Sequence, residues 1–340
     1  MNIEGSVAYG VSLLWAVLSV VSTGPRAHAA DSSVVEKAKA EGEVVLYTAW
    51  GLDGVQALQK AFTQKYPFIK LNVLRMRSER ILSRTIAEHR QKVYQADVFS
   101  GSQLAMLNHK KEGHLQKYIA SEQAAFPREF RDPESFWTAV HIDTRVLAYN
   151  TKLISRNEVP RTYDDLIHPK WKGKMAIDEA EYIMYGTILE MMGREKGGAF
   201  MKRLSQQDLS LRNGHSLLTQ LLIAGEFPIY ADAFGSNIEP FKAKGAPIDW
   251  VGLQPVIVSL YPVGMAVNAP HPNAAKLLVD FFLSKEGQQI GKAIGKMPGR
   301  SDVEPPYPNL TKGLKLYPVP AVVADRYGEI TKEFRELFLK

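Results

Sequence analysis

The chain has 340 residues, no cysteine and a formal charge of +6. That length carries two domains of ordinary size, and the missing cysteines exclude disulfide scaffolds, thiolate metal sites and cysteine nucleophiles together. Lysines and arginines are dispersed, with no basic stripe interleaved with aromatics, so nucleic-acid binding is excluded as well.

The apolar run Val7 to Val21, followed by Ala27-His28-Ala29, has the pattern of an export signal with a small-x-small cleavage site. Residues 1–29 are therefore expected to be a signal peptide, cut before Ala30. The run is too short for a comfortable membrane span. With no cysteine after it to take a lipid, the mature chain is expected free in the periplasm of a Gram-negative cell, as a monomer.

Beyond the leader, short β-rich runs alternate with amphipathic segments, the signature of α/β layers. Glu43 to Thr48 reads as a buried strand. A helix opens at Asp53-Gly54, with Val55, Leu58, Phe62 and Tyr66 on one face, and stops before Pro67. Leu71 to Met76 is a second strand, and a helix follows from near Ser78. Asp97-Val98-Phe99 is a third strand, and Ser100-Gly101-Ser102 caps a helix that ends at Gly113.

Trp137 to Tyr149 is a longer β-like stretch. After Pro160 a second α/β unit begins, with strands at Lys174–Ile177 and Phe227–Tyr230 and helices around Tyr185–Met192, Ala199–Leu204 and His215–Ala224. Val256 to Val267 is again β-like. Pro272 sits at the first position of a strongly amphipathic helix, residues 298–320 are proline-rich, and a last helix reaches about Leu337.

Enzyme signatures are absent. No G-x-S-x-G, H-E-x-x-H or G-x-G-x-x-G occurs, and Gly291 to Lys296 falls one residue short of a P-loop and lacks its Ser/Thr. His109 and Glu112 have helical metal-pair spacing, but the lysines around them read as a solvated face. No catalytic residue, metal ligand or cofactor is expected.

Several stretches together resemble the family 1 extracellular solute-binding proteins. They are Val45-Leu46-Tyr47-Thr48 with Ala96-Asp97-Val98-Phe99, Arg145 to Thr151, Pro160 to Leu166, His168 to Lys174, Ala269 to Lys276, and Leu283 to Gln288. The resemblance implies a type II-like periplasmic binding protein fold of two doubly wound lobes joined by two hinge crossings, near Arg145–Asn150 and Val258–Val263. Residues 30–147 and 263–340 are expected in lobe I and residues 148–262 in lobe II. It also implies capture of a small polar, anionic or zwitterionic solute and its delivery to the membrane permease of an ABC importer. An enzyme or a sensory adaptor on the same scaffold is the rival from another class.

The Trp171-Lys172-Gly173-Lys174 and Ser284-Lys285-Glu286-Gly287-Gln288 stretches are most similar to the ferric-iron-binding branch. That branch holds iron with adjacent tyrosines. The matching stretch here, Gly225 to Phe234, has Tyr230 alone, so a ferric carrier is the alternative and not the first expectation.

In such folds the ligand sits where strand ends and helix starts of both lobes converge. The expected site draws on Thr48 and Trp50 as a stacking loop, Arg77 as a cation, and Ser100, Gly101 and Ser102 as an anion-binding helix start. Lobe II is expected to add Asp178, Glu181, Tyr182, Asn213 and Asp232 for a cationic group. Arg145 on the hinge strand is expected as a crevice cation or as a partner of these acids, and Arg80 and Arg84 are expected on a solvated face.

Overall fold

A computed structural model describes residue 1 and residues 32–339. The expected signal segment and its cleavage point lie, apart from Met1, outside the described residues. The first unit runs α1 (Ser32–Glu41), β1 (Glu43–Thr48), α2 (Leu52–Lys65), β2 (Lys70–Arg75), α3 (Ser78–Arg90), β3 (Val98–Ser100), α4 (Gln103–Lys111) and β4 (Leu115–Gln116), then enters the long strand β5 (Thr138–Asn150). The second contains β6 (Met175–Asp178), α5 (Tyr182–Met192), α6 (Arg194–Ser205), β7 (Ser210–Arg212), α7 (His215–Ala224), β8 (Ile229–Phe234), α8 (Gly235–Ala243) and β9 (Ile248–Val251). A second long strand, β10 (Val256–Ala266), returns to the first unit. It is followed by α9 (Pro272–Leu283), α10 (Lys285–Ala293), β11 (Met297–Pro298), β12 (Leu316–Pro318), α11 (Ala321–Asp325) and α12 (Tyr327–Phe338).

Local sequence accounts for these elements. Val55, Leu58 and Phe62 bury one stripe of α2, and its last N–H bonds lead into Tyr66, just ahead of Pro67. In α9, Pro272 takes the first turn, where its missing N–H costs nothing, and Leu277, Leu278, Phe281 and Phe282 are buried behind it. Each such side chain contributes roughly 1.5–3 kcal/mol by leaving water. Helix α9 thereby covers one face of the first unit, packing with Leu46, Phe62 and Val98.

The strands order as β2-β1-β3-β10-β5-β8-β6-β7. Strand β1 runs parallel to β2 and β3, whereas β10 runs antiparallel to β3 and to β5. Strand β5 changes partners along its length. Residues Thr138 to Thr144 pair with β10, and Arg145 onward pairs with β8 and β9. The hinge therefore passes at Thr144–Arg145, a few residues before the expected 147/148 boundary, because β5 can offer each edge to only one neighbour at a time.

The tail departs from expectation more strongly. Residues 263–340 were assigned to lobe I, yet Val323, Ile330 and Phe334 pack with Tyr185, Ile188 and Leu189 of the second unit. Gln103 Nε2 of α4 also donates to the carbonyl of Val319 at 2.8 Å. The terminal segment thus touches both units, an addition to the two hinge crossings.

A two-lobed crevice as candidate functional site

Three helices of the first unit start at the same place. Gly51 precedes α2, Arg77 precedes α3 and Ser102 caps α4 with its hydroxyl, which accepts from Ala105 N at 3.4 Å. These starts line a cavity of ≈ 470 Å³ together with Trp50, Ser78, Gly101, His141, Tyr261 and Lys296. Short links hold the starts in register. Ser102 N donates to Ser78 Oγ at 3.0 Å, and Gly101 N donates to the Pro262 carbonyl at 3.2 Å. A Cβ at Gly101 would stand 2.8 Å from Ser78 Oγ and force that side chain to move. Converging helix starts present partial positive charge and unsatisfied N–H donors.

The rear wall is aromatic. His141 stacks on Tyr261, with ring centres 4.4 Å apart at 8°, and Trp50 meets His141 edge-on at 5.4 Å. Burial, and secondarily Lys296, holds the His141 imidazole well below its ordinary value, so it is neutral. Its Nδ1 and the Trp50 Nε1 are buried without a hydrogen-bond partner. Such orphaned polar atoms are uncommon in native interiors.

The second unit builds an ion cluster. Arg145 Nη1 donates to Glu181 Oε1 at 2.9 Å and to Asp232 Oδ2 at 3.0 Å, and the guanidinium lies 3.9 Å from the Phe234 ring centre. His215 Nε2 lies 2.7 Å from Glu181 Oε1, and its Nδ1 makes a short hydrogen bond with the Tyr230 hydroxyl. Burial alone would push Glu181 up, but Arg145 and His215 outweigh it and hold the carboxyl at about 2. Asp232 is fully buried, and burial drives it well above the ordinary carboxyl range despite Arg145. One guanidinium thus compensates one carboxylate, and the proton stays on Asp232.

The expected site residues divide accordingly. Ser100, Gly101, Ser102 and Trp50 meet at the cavity or directly behind it, and Arg145, Glu181 and Asp232 meet in the ion cluster. Thr48 is buried and accepts from Trp50 N at 3.1 Å, which shapes the loop from inside. Asp178 accepts from Ala180 N and Gly214 N, a structural task at two turns. Tyr182 points away from the crevice and packs edge-on against Phe334 of α12. Asn213 is exposed and bonds Glu179. Arg77 is exposed and does not line the cavity; Ser78, one residue on, does.

Two further expectations need correction. Glu181 and Asp232 are not open to a cationic group, because Arg145 compensates the first and the second keeps its proton. His109, read as part of a solvated face, is buried, stacked on Phe99 at 4.3 Å, with its Nδ1 3.2 Å from His114 Nδ1. Sequence reading also passed over His141, Tyr261, His215 and Lys296. Of these only Lys296 carried a signal, in the stretch that falls short of a P-loop.

Glu181, His215 and Asp232 do bring three ligand-type atoms within 4.8 Å of one another. The fit to a ferric cargo is poor, since Arg145 already bonds both carboxylates. Tyr230 is moreover pushed far above its ordinary value, by burial first and then by Asp232 and Glu181, which opposes a phenolate.

Known proteins share this architecture. The chain is 27% identical over 289 residues to iron uptake protein A1 of Synechocystis sp., covering 76% of each chain. Its fold matches an iron- and citrate-bound IdiA (FutA) protein from Trichodesmium with a TM-score of 0.77 at 21% identity, over 88% of this chain and 100% of that one. AfuA from Actinobacillus pleuropneumoniae, with exogenous fructose-6-phosphate bound, matches with a TM-score of 0.72 at 23% identity, over 88% and 99%. The family described as bacterial extracellular solute-binding protein matches residues 95–313, well over half of the chain. The protein belongs to that bacterial extracellular solute-binding family.

Proposed function

We propose that this chain is the periplasmic receptor of an ABC importer, and that it captures a small solute through an oxyanionic end group. The observation that carries this reading is the ≈ 470 Å³ cavity on which the starts of α2, α3 and α4 converge. Helix starts with small side chains accept phosphoryl or carboxylate groups without a metal. The volume suits a small metabolite. Of the similar structures, the one with fructose-6-phosphate supports the same chemistry. Closure of the two units about β5 and β10, with the tail following, would seal the solute and present a distinct state to the transporter.

Native mass spectrometry of the protein from a periplasmic extract tests this reading. A bound anionic small molecule is expected on the wild type and is lost in Gly101→Val, whose side chain would displace Ser78 and fill the floor of the cavity. A wild type carrying no organic anion, or a variant that keeps it, would count against the reading.

A ferric cargo is the second reading, favoured by the proximity of Glu181, His215 and Asp232 and by the iron-uptake relative. With Arg145 in place and Tyr230 kept as a phenol, ferric citrate should produce no visible phenolate-to-iron band. A coloured product that survives dialysis, and that is lost in Tyr230→Phe, would establish the ferric carrier instead.

A further inference from the structure

The cavity has two charged side chains on its wall, Asp53 and Lys296. Asp53 is exposed in the first turn of α2. Lys296 is half-buried and makes no side-chain hydrogen bond or ion pair among the described residues, although its charge reaches the buried Asp143 and His141. Elsewhere in the crevice the cations are spent, as Arg145 is held by Glu181 and Asp232. A cation left unpaired in a partly desolvated wall is costly unless something charged completes it.

The backbone places this lysine firmly. Helix α10 ends in a reversal in which Gly295 takes φ +79, Gly295 N bonds the Lys292 carbonyl, and Lys296 N bonds the Gly291 carbonyl at 2.9 Å. That is the glycine-dependent helix stop. The next two residues form β11 and pair antiparallel with His141 and Ile142 of β5. Gln288 then accepts from Gly299 N at 2.9 Å. Lys296 is therefore clamped on both sides, over the wall that holds the unpartnered His141 Nδ1 and Trp50 Nε1. The stretch Gly291 to Lys296 that looks like a truncated phosphate loop is a helix end and not a helix start. Its lysine nevertheless reaches an anion-type cavity built by three other helices.

We propose that Lys296 is the specificity-determining residue of the crevice, its ammonium contacting the oxyanion of the solute and selecting anionic over neutral solutes. Asp53, on the same cavity wall, disfavours a second negative group and leaves room for a hydroxyl or amine. This rests on the reading of the crevice as an anion site. It goes further in naming a residue that lies outside the convergent helix starts.

The test is titration calorimetry of the mature chain with inorganic phosphate, for wild type, Lys296→Arg, Lys296→Met, Lys296→Glu and Gly101→Val, with a melting curve for each. Lys296→Met should weaken phosphate binding about ten- to hundredfold, the range for losing a charge-assisted hydrogen bond. Lys296→Arg should stay within a few-fold of wild type, Lys296→Glu should abolish binding, and melting temperatures should hold. If Gly101→Val loses phosphate while Lys296→Met and Lys296→Glu keep it, the anion site stands and the role of Lys296 is overturned. If the wild type takes up no phosphate, the anion site falls, and the inference with it.

Discussion

Arg145→Met is expected to destabilise the protein by about 3–5 kcal/mol, the range for breaking a buried ion pair from one side. The guanidinium bonds Glu181 and Asp232 at 2.9 and 3.0 Å, and both acids are buried. Without it, Glu181 becomes a buried carboxylate with no cation but His215 beside it, so its folded value rises above the unfolded one of about 4.3. A raised carboxyl favours the folded state at low pH and loses that advantage as pH climbs. Urea unfolding should therefore show the variant's deficit relative to wild type shrinking as pH falls toward 4.5, and Arg145→Met with Glu181→Gln should recover part of the loss at neutral pH. A variant as stable as wild type at pH 7 would mean that the cluster is solvated and that the hinge does not depend on it.

The second large effect is acid destabilisation through His109 and His114. Burial, with His114 and His89 adding to it, lowers His109 to about 3; burial and His89 lower His114 to about 4. Their surroundings offer little relief, since Phe99 stacks on His109 and His89 packs against His114, while only Glu112 pulls His114 upward. In the unfolded chain both imidazoles take up protons near pH 6.5. Between that value and the folded ones the unfolded state binds more protons, so stability is full above pH 6.5 and drains away as pH falls toward 4 and then 3. Linkage puts the loss for the pair on the order of 5 kcal/mol between pH 7 and pH 4. Replacing both by glutamine should flatten this part of the pH profile relative to wild type, measured by urea unfolding at pH 7 and pH 4.5. Parallel profiles would show that other groups carry the acid sensitivity. Both histidines lie on or beside α4, whose start lines the crevice, so the same titration should weaken ligand binding in acid.

Much of the fold was legible because it rests on local patterns. The buried stripe of α2, the proline-started α9 and the helix His215–Ala224 were read from spacing and caps alone, where apolar periodicity and punctuation act within a dozen residues. The loops at Trp50 and Ser100–Ser102 were placed at the crevice, since strand ends followed by helix starts are visible in sequence, whereas at the start of α3 the reading chose Arg77 and the structure puts Ser78 on the cavity. Arg145, Glu181 and Asp232 were named, with Arg145 as a crevice cation or a partner of the acids. Sequence showed acids facing a cation; the pairing itself depends on β5 and β8 lying side by side.

By itself, the sequence determined the α/β class, the lack of thiol chemistry, the two long β-like crossings and the helix starts that carry partial positive charge. Each of these follows from residue type and near-neighbour spacing. Only the tertiary structure decided which charges are spent and which are free. Arg145 is consumed by two carboxyl groups 36 and 87 positions away in sequence, and Lys296 reaches the cavity because β11, which follows it, pairs with His141 and Ile142 of the distant hinge strand. Tyr182 and the tail were likewise settled by packing of α12 on α5, which no local pattern records. Coulomb and desolvation energies depend on separation in space, and separation along the chain predicts that poorly once contacts span a fold of this size.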